Sequence, residues 1–198
     1  KPIKKKFAWV FFQRFIFQYS DFIIVNSYLE KRNIHKLTKK KKISVIPHGI
    51  DDLKRVKSKK NLKKKKLKFV YFSRIHPVKN LLKLVEIWKS DEFFKELKLY
   101  IYGDISDEEY FDKIKKIIFK RENFIYKGPL YKNKIKTLSK YDVLIYPSLS
   151  ENFGLVVLEA LAGGLYLILN KDLPWKTLKT KNLASLIKFE KKNLISSI

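Results

Sequence analysis

Between Pro147 and Gly164 the chain runs Pro-Ser-Leu-Ser-Glu-Asn-Phe-Gly-Leu-Val-Val-Leu-Glu-Ala-Leu-Ala-Gly-Gly, with two carboxylates, Glu151 and Glu159, eight positions apart. Glu159 is the one charge from Leu155 to Ala162, an apolar run that reads as a buried helix. A carboxylate there is costly unless something pairs with it. Glu151 precedes the same helix, and Gly154 lets the first helical amides come close to a ligand. Two carboxylates so placed suit the acceptance of hydrogen bonds from hydroxyl groups; a Glu paired with one of the many Lys competes with that reading for Glu159 taken alone. A second group, Ser73-Arg-Ile-His-Pro-Val-Lys-Asn80, sets Arg74 and Lys79 around a Pro-stiffened turn that opens a helix. Two cations and a helix N-terminus make a clamp for a diphosphate. A loop with two solvated cations is the competing reading of this turn by itself.

Both groups need a scaffold that brings loops together, and the pattern from Leu67 onward supplies one. Strands are expected over 68–73, 97–102, 123–127, 141–146 and 165–169, with a weaker sixth over 184–188. Leu81, Leu82, Leu84, Val85 and Trp88 line one side of a helix whose other side carries Lys83, Glu86 and Lys89. Tyr110, Phe111, Ile114, Ile117 and Ile118 repeat at helical spacing, and further helices are expected over 131–140, over 155–162 and at the C-terminus. Such alternation predicts an α/β fold, a Rossmann-like parallel sheet with helices on both faces, because each parallel neighbour needs a crossover. Ligands of these sheets sit beyond the carboxyl ends of the strands, where both groups fall.

Upstream, residues 1–50 hold two shorter β-branched runs. Phe22-Ile-Ile-Val25 is followed by Ser27 and Glu30 at capping-box spacing, and Ile43-Ser-Val-Ile-Pro47 is ended by His48-Gly49. A helix over 7–19 would put Gln13, Arg14 and Gln18 on one narrow face and leave the rest aromatic and aliphatic. That suits burial against a missing partner, with a membrane-surface helix as the alternative. Residues 51–66 have almost no apolar side chains and read as a Lys-rich linker before a unit spanning 67–198.

Composition bounds the function. The 198 residues are 45% hydrophobic and 15% aromatic, enough for a full core in spite of 32% charged residues. The absence of Cys excludes disulfides, Cys-ligated zinc, iron–sulfur clusters and a thiol nucleophile. Met is absent even at position 1, which leads us to expect a fragment or processed piece. Lys and Arg total 45 against 19 Asp and Glu, a net charge of +26, yet only five are Arg. Half of that excess lies between Lys36 and Lys68, where 15 basic residues face two Asp. The scarcity of Arg argues against nucleic acid as partner and leaves a solvated surface or an anionic membrane surface. No window approaches 18 uninterrupted apolar residues, so no spanning helix is expected. The basic and aromatic N-terminus imitates a signal peptide, but Gln13 and Arg14 interrupt it, and a cytoplasmic protein is expected, with a peripheral place on the inner membrane face as the alternative.

The motif Glu151-x7-Glu159 within Pro-Ser-x-x-Glu-x-Phe-Gly-Leu-x-x-Leu-Glu-Ala-x-Ala-x-Gly resembles the signature of retaining glycosyltransferases of the GT-B fold, in glycosyltransferase family four, or glycosyl transferases group 1. The Ser73-Arg74…Pro77-x-Lys79-Asn80 turn is similar to that family's diphosphate loop. Ile46-Pro-His-Gly-Ile-Asp51 is similar to its interdomain segment, and Lys127-Gly128-Pro-Leu130 to its loop near the nucleotide base. The resemblance covers about residues 20–175, in the family's order. Where the family usually has Gly-x-Pro-Val after its Glu helix, this chain has Gly164-Leu-Tyr166-Leu.

The resemblance implies that the chain is the C-terminal, donor-binding half of a two-domain enzyme, with residues 1–50 the tail of the acceptor-bearing domain. It implies transfer of a hexosyl group from a nucleoside diphosphate sugar to a cell-surface glycan or lipid-linked saccharide, with retention and without a metal or other cofactor. Glu151, Arg74 and Lys79 are then catalytic, and Arg74, Lys79, Gly128, Leu130, Glu151, Asn152, Phe153, Gly154, Leu155 and Glu159 bind the donor. Within that set Arg74, Lys79 and the Gly154 and Leu155 amides meet the diphosphate, Glu151 the sugar hydroxyls and Glu159 the ribose. Two other readings stay open: a GT-B nucleotide-sugar epimerase, and a basic module for polyanions or membranes.

Overall fold

Each short β-branched run before residue 50 forms a strand. β1, Ile23–Val25, pairs in parallel with β2, Ile43–Val45. A parallel pair needs a crossover, and the helix Tyr28–His35 supplies it. Ser27 caps that helix, its Oγ accepting from the Glu30 amide at 3.1 Å. Glu30 Oε2 accepts in return from the Asn26 amide at 2.8 Å, so the expected capping box forms with its return bond one residue upstream. Ile23, Val25 and Ile43 make a small core with Phe17, Ile34 and Val45 packed on it. The preceding helix, Arg14–Tyr19, leaves Phe15, Ile16 and Tyr19 exposed. In chain order these helices are α1, Arg14–Tyr19, and α2, Tyr28–His35.

The computed structural model describes residue 12 and residues 14–38, 42–50 and 66–198. The whole stretch 1–11 in which the aromatic helix is expected to begin, residue 13, and all but the last residue of the expected linker over 51–66 lie outside the described residues. The chain divides into two units, Lys1–Gly49 and Ile50–Ile198.

In the second unit six strands, β3 (Lys68–Phe72), β4 (Lys98–Tyr102), β5 (Phe124–Tyr126), β6 (Val143–Tyr146), β7 (Tyr166–Asn170) and β8 (Ala184–Ile187), form one parallel sheet. Its order is β5-β4-β3-β6-β7-β8. Side chains alternate across it. Phe69, Tyr71, Leu99, Ile101, Val143 and Ile145 enter one core with the helices α3, Leu81–Lys89, and α4, Glu108–Ile118, and with Leu194 of the terminal helix. Val70, Phe72, Leu144, Tyr146, Leu167 and Leu169 enter the other with α5, Lys134–Leu138, α6, Leu155–Ala162, and α7, Lys176–Thr180. The terminal helix, α8, is Lys191–Ile195. The α/β sheet with helices on both faces is as expected.

Three details differ. The helix expected over 131–140 shortens to α5, because Asn133 takes a left-handed φ of 54° immediately before it. α7 was not foreseen, since five residues are too few to show a helical period. The apolar run 155–162 is a surface helix rather than a buried one. Only Val157 and Ala160 are buried, while Leu155 is 43% exposed, because the helix meets the sheet along one side.

Candidate functional site

The sheet continues to β4 on one side of β3 and to β7 on the other side of β6, so the loops leaving β3 and β6 diverge and open a crevice at the carboxyl ends. These are the loops that carry the two expected constellations. They are fastened together: the Leu149 amide donates to Val78 O at 2.9 Å and Asn80 Nδ2 to Pro147 O at 3.4 Å. The first loop ends in a tight 3-10 turn, Pro77–Lys79, where His76 Nδ1 accepts from the Val78 amide at 3.2 Å. Gly103, just after β4, presses on this loop: a Cβ there would lie 2.2 Å from Ser73 O, a distance only glycine avoids.

Glu151 and Lys79 come together across the crevice as an ion pair, with side chains 12% and 11% exposed. Three donors converge on Glu151 Oε1. They are Lys79 Nζ, the Tyr146 hydroxyl and Ser148 Oγ, the last at 2.9 Å. Ser148 has one proton and also lies 3.3 Å from Val78 O and 3.2 Å from Ser150 O; the ionised carboxylate is the nearest acceptor and the strongest. Oε2 accepts from no described residue and keeps some contact with solvent. Burial, and after it the charge of Glu151, push the Tyr146 hydroxyl far above its ordinary range. Burial also raises Tyr71, which donates to Arg74 O at 3.2 Å. Both phenols are therefore neutral donors.

Glu159 is held differently. Its partner is Lys134 at the start of α5, with Nζ 3.3 Å from Oε1 and side chains 39% and 13% exposed for Lys and Glu. Gly154 begins α6 with a φ of 85°, a left-handed turn that suits glycine. Phe153 packs on Trp175, ring centroids 4.9 Å apart, and Trp175 Nε1 donates to Phe153 O at 2.7 Å. Asn152 and Leu155 are exposed beside them. Gly128 accepts from the Gly103 amide at 3.0 Å, and Leu130 packs on the core beneath α5 and α6.

Of the expected residues, the structure thus brings Lys79 to Glu151 and places Glu159 at the next helix, paired with a Lys. Arg74 stays exposed, and its guanidinium meets no carboxylate among the described residues. Tyr146, Ser148 and Lys134 were not singled out from the sequence. Tyr146 had a signal, being the one hydroxyl-bearing side chain in the strand Val143–Tyr146, where a buried phenol needs a partner. Among the described residues no group of three or more His, Asp or Glu is arranged to hold a metal ion, and no helix is long and apolar enough to cross a membrane.

Comparison with known proteins gives this geometry its relatives. Over 206 residues the chain is 28% identical to an uncharacterized 41.2 kDa protein in the cps region of Klebsiella pneumoniae, covering 98% of this chain and 55% of that protein. The pneumococcal O-GlcNAc transferase solved in complex with UDP and GlcNAc is 26% identical, with a TM-score of 0.64 over 81% of this chain and 32% of its own. Sucrose-phosphate synthase from Thermosynechococcus elongatus superposes with a TM-score of 0.77 over 93% of this chain and 50% of its own; at 21% identity this is a likeness of fold, that of the GT-B glycosyltransferases. The chain thus spans about half the length of the curated relative it matches. The family model described as glycosyl transferases group 1 matches residues 52–177, a span that contains both loops of the crevice, and to that family the chain belongs.

Proposed function

We propose that residues 67–198 are the donor-binding half of a retaining glycosyltransferase of family four, which moves a hexosyl group from a nucleoside diphosphate sugar to a cell-surface glycan or lipid-linked saccharide. In this reading residues 1–50 are the tail of the acceptor-bearing domain and the interdomain segment, and 51–66 a linker. The observation that carries the reading is Glu151: one oxygen is fixed by three donors and the other left open at the crevice where the strand order reverses. A carboxylate fixed in this way holds sugar hydroxyls in one orientation. Departure of the leaving group builds negative charge on the diphosphate, which Arg74, Lys79 and the Gly154 and Leu155 amides stabilise without a metal. Glu159 takes the ribose hydroxyls. The pneumococcal relative, solved with UDP and GlcNAc, supports a nucleotide sugar as donor. Lys132, Lys136 and Lys140, in and beside α5, and Lys176 and Lys179 of α7 are exposed and in no ion pair among the described residues, which supports work at the anionic inner face of a membrane.

Calorimetric titration of variants with a nucleoside diphosphate and its sugar conjugate tests the assignment. Arg74→Ala weakens both ligands by about 1.5–3 kcal/mol, the worth of a charge-assisted hydrogen bond. Glu151→Gln weakens the nucleotide sugar and spares the diphosphate. Equal losses for both ligands at Glu151 would remove it from the sugar, and no loss at either residue would return the chain to the polyanion reading.

A further inference from the structure

Lys79 has two claims on it. Its ammonium neutralises Glu151 in the free protein, and the same ammonium is the one that a bound diphosphate would draw away. A carboxylate held by a lysine alone would follow it or turn to solvent, and its free oxygen would lose its aim. Glu151 is not held by Lys79 alone. Tyr146 ends the strand β6 with 1% of its surface exposed, and Ser148, fully buried two residues later, has its Oγ 2.9 Å from Glu151 Oε1. Neither hydroxyl rides on a flexible stem, so neither leaves when Lys79 does.

We propose that Tyr146 and Ser148 are positioning residues that grip Glu151 by Oε1, leave Oε2 open to a ligand, and keep the carboxylate in place when Lys79 turns to a bound anion. The proposal rests on the reading of Glu151 as the carboxylate that meets the donor sugar. Burial keeps the Tyr146 phenol protonated and so able to donate throughout. A Phe would fill the same space in a strand otherwise made of Val143, Leu144 and Ile145, so the hydroxyl itself is the functional part.

The test uses the whole 198-residue chain, titrated with UDP-, GDP- and ADP-linked hexoses and the corresponding diphosphates. Tyr146→Phe weakens the nucleotide sugar on the order of tenfold and the diphosphate little, and lowers Tm by a few degrees without unfolding the chain. Ser148→Ala shifts affinity in the same direction. Tyr141→Phe, which removes a phenol that meets Tyr102 rather than the carboxylate, shifts neither ligand. A crystal structure of the Lys79→Ala chain supplies a readout without ligand, with Glu151 still on Tyr146 and Ser148. A carboxylate swung away in that structure overturns the proposal. So do equal losses for both ligands at Tyr146→Phe, or none, when Glu151→Gln is selective for the sugar. If Glu151→Gln is not selective, or no member of the panel binds, the donor reading falls and this inference with it.

Discussion

Glu151 and Glu159 stand on either side of the start of one helix, are buried almost equally, with 12% and 13% of their side chains exposed, and each has a lysine. Their surroundings differ in how the lone pairs are used. Glu151 has one oxygen taken by three donors from a strand end and two loops, while Glu159 has a single partner whose side chain is 39% exposed. Burial alone therefore does not distinguish a fixed carboxylate from a loosely tied one. What distinguishes them is that Glu151 has two buried hydroxyls on short or rigid side chains, Tyr146 and Ser148, beside its lysine, whereas Glu159 has a lysine stem alone. In the proposed reading the first carboxylate keeps its direction when a ligand binds, and the second passes to a better donor.

The largest consequence is energetic. Removing one member of the Lys79–Glu151 pair leaves the other charge nearly buried, at a cost of about 3–5 kcal/mol, less whatever Lys79 recovers by reaching water. Two such losses do not add, so a double-mutant cycle with Lys79→Met and Glu151→Gln, measured by urea unfolding, gives a coupling above about 1 kcal/mol. The matching cycle with Lys134→Met and Glu159→Gln gives less than about 1 kcal/mol, because water screens the exposed lysine. Equal couplings would erase the contrast drawn from the geometry.

That contrast was half visible in the sequence. The parallel sheet and its two loops were legible because β-branched runs of five or so residues alternate with helical periods, and that pattern has few topological solutions. Glu151, Glu159 and Lys79 were legible as charges where charge is costly or where a turn opens a helix. Their partners were not. Lys134 is one of 40 lysines, and no spacing rule brings α5 to α6. Tyr146 meets Glu151 only because a strand end and the loop after it fold back on one another, a contact set by loop geometry rather than by period. The same limit explains α6, whose apolar run reads as buried until the sheet shows that it covers one side of the helix alone.

A smaller effect sharpens the comparison at high pH. In the unfolded chain a tyrosine loses its proton near pH 10, whereas burial and the charge of Glu151 hold Tyr146 protonated well above that. Above pH 10 the native state thus binds more protons than the unfolded one, and stability falls as pH rises, by up to about 1.4 kcal/mol per pH unit for this one group. Tyr146→Phe removes that contribution, so its unfolding free energy declines less steeply between pH 10 and 11.5 than that of the unmutated chain. Parallel slopes would mean that the phenol ionises natively and does not serve as the fixed donor to Glu151.

The smallest effect is in salt, and it separates the two carboxylates without touching the site's chemistry. Screening lengths fall from about 10 Å at 0.1 M to about 3 Å at 1 M, and they act on pairs that water reaches. Lys134 is such a partner and Lys79 is not. Repeating both cycles in 1 M NaCl should remove most of the Lys134–Glu159 coupling, a change of a few tenths of a kcal/mol, and leave Lys79–Glu151 within error. The sign matters more than the size: if salt eroded the Glu151 pair as well, water would be reaching Oε1, and a carboxylate solvated on its gripped side could not be aimed by Tyr146 and Ser148.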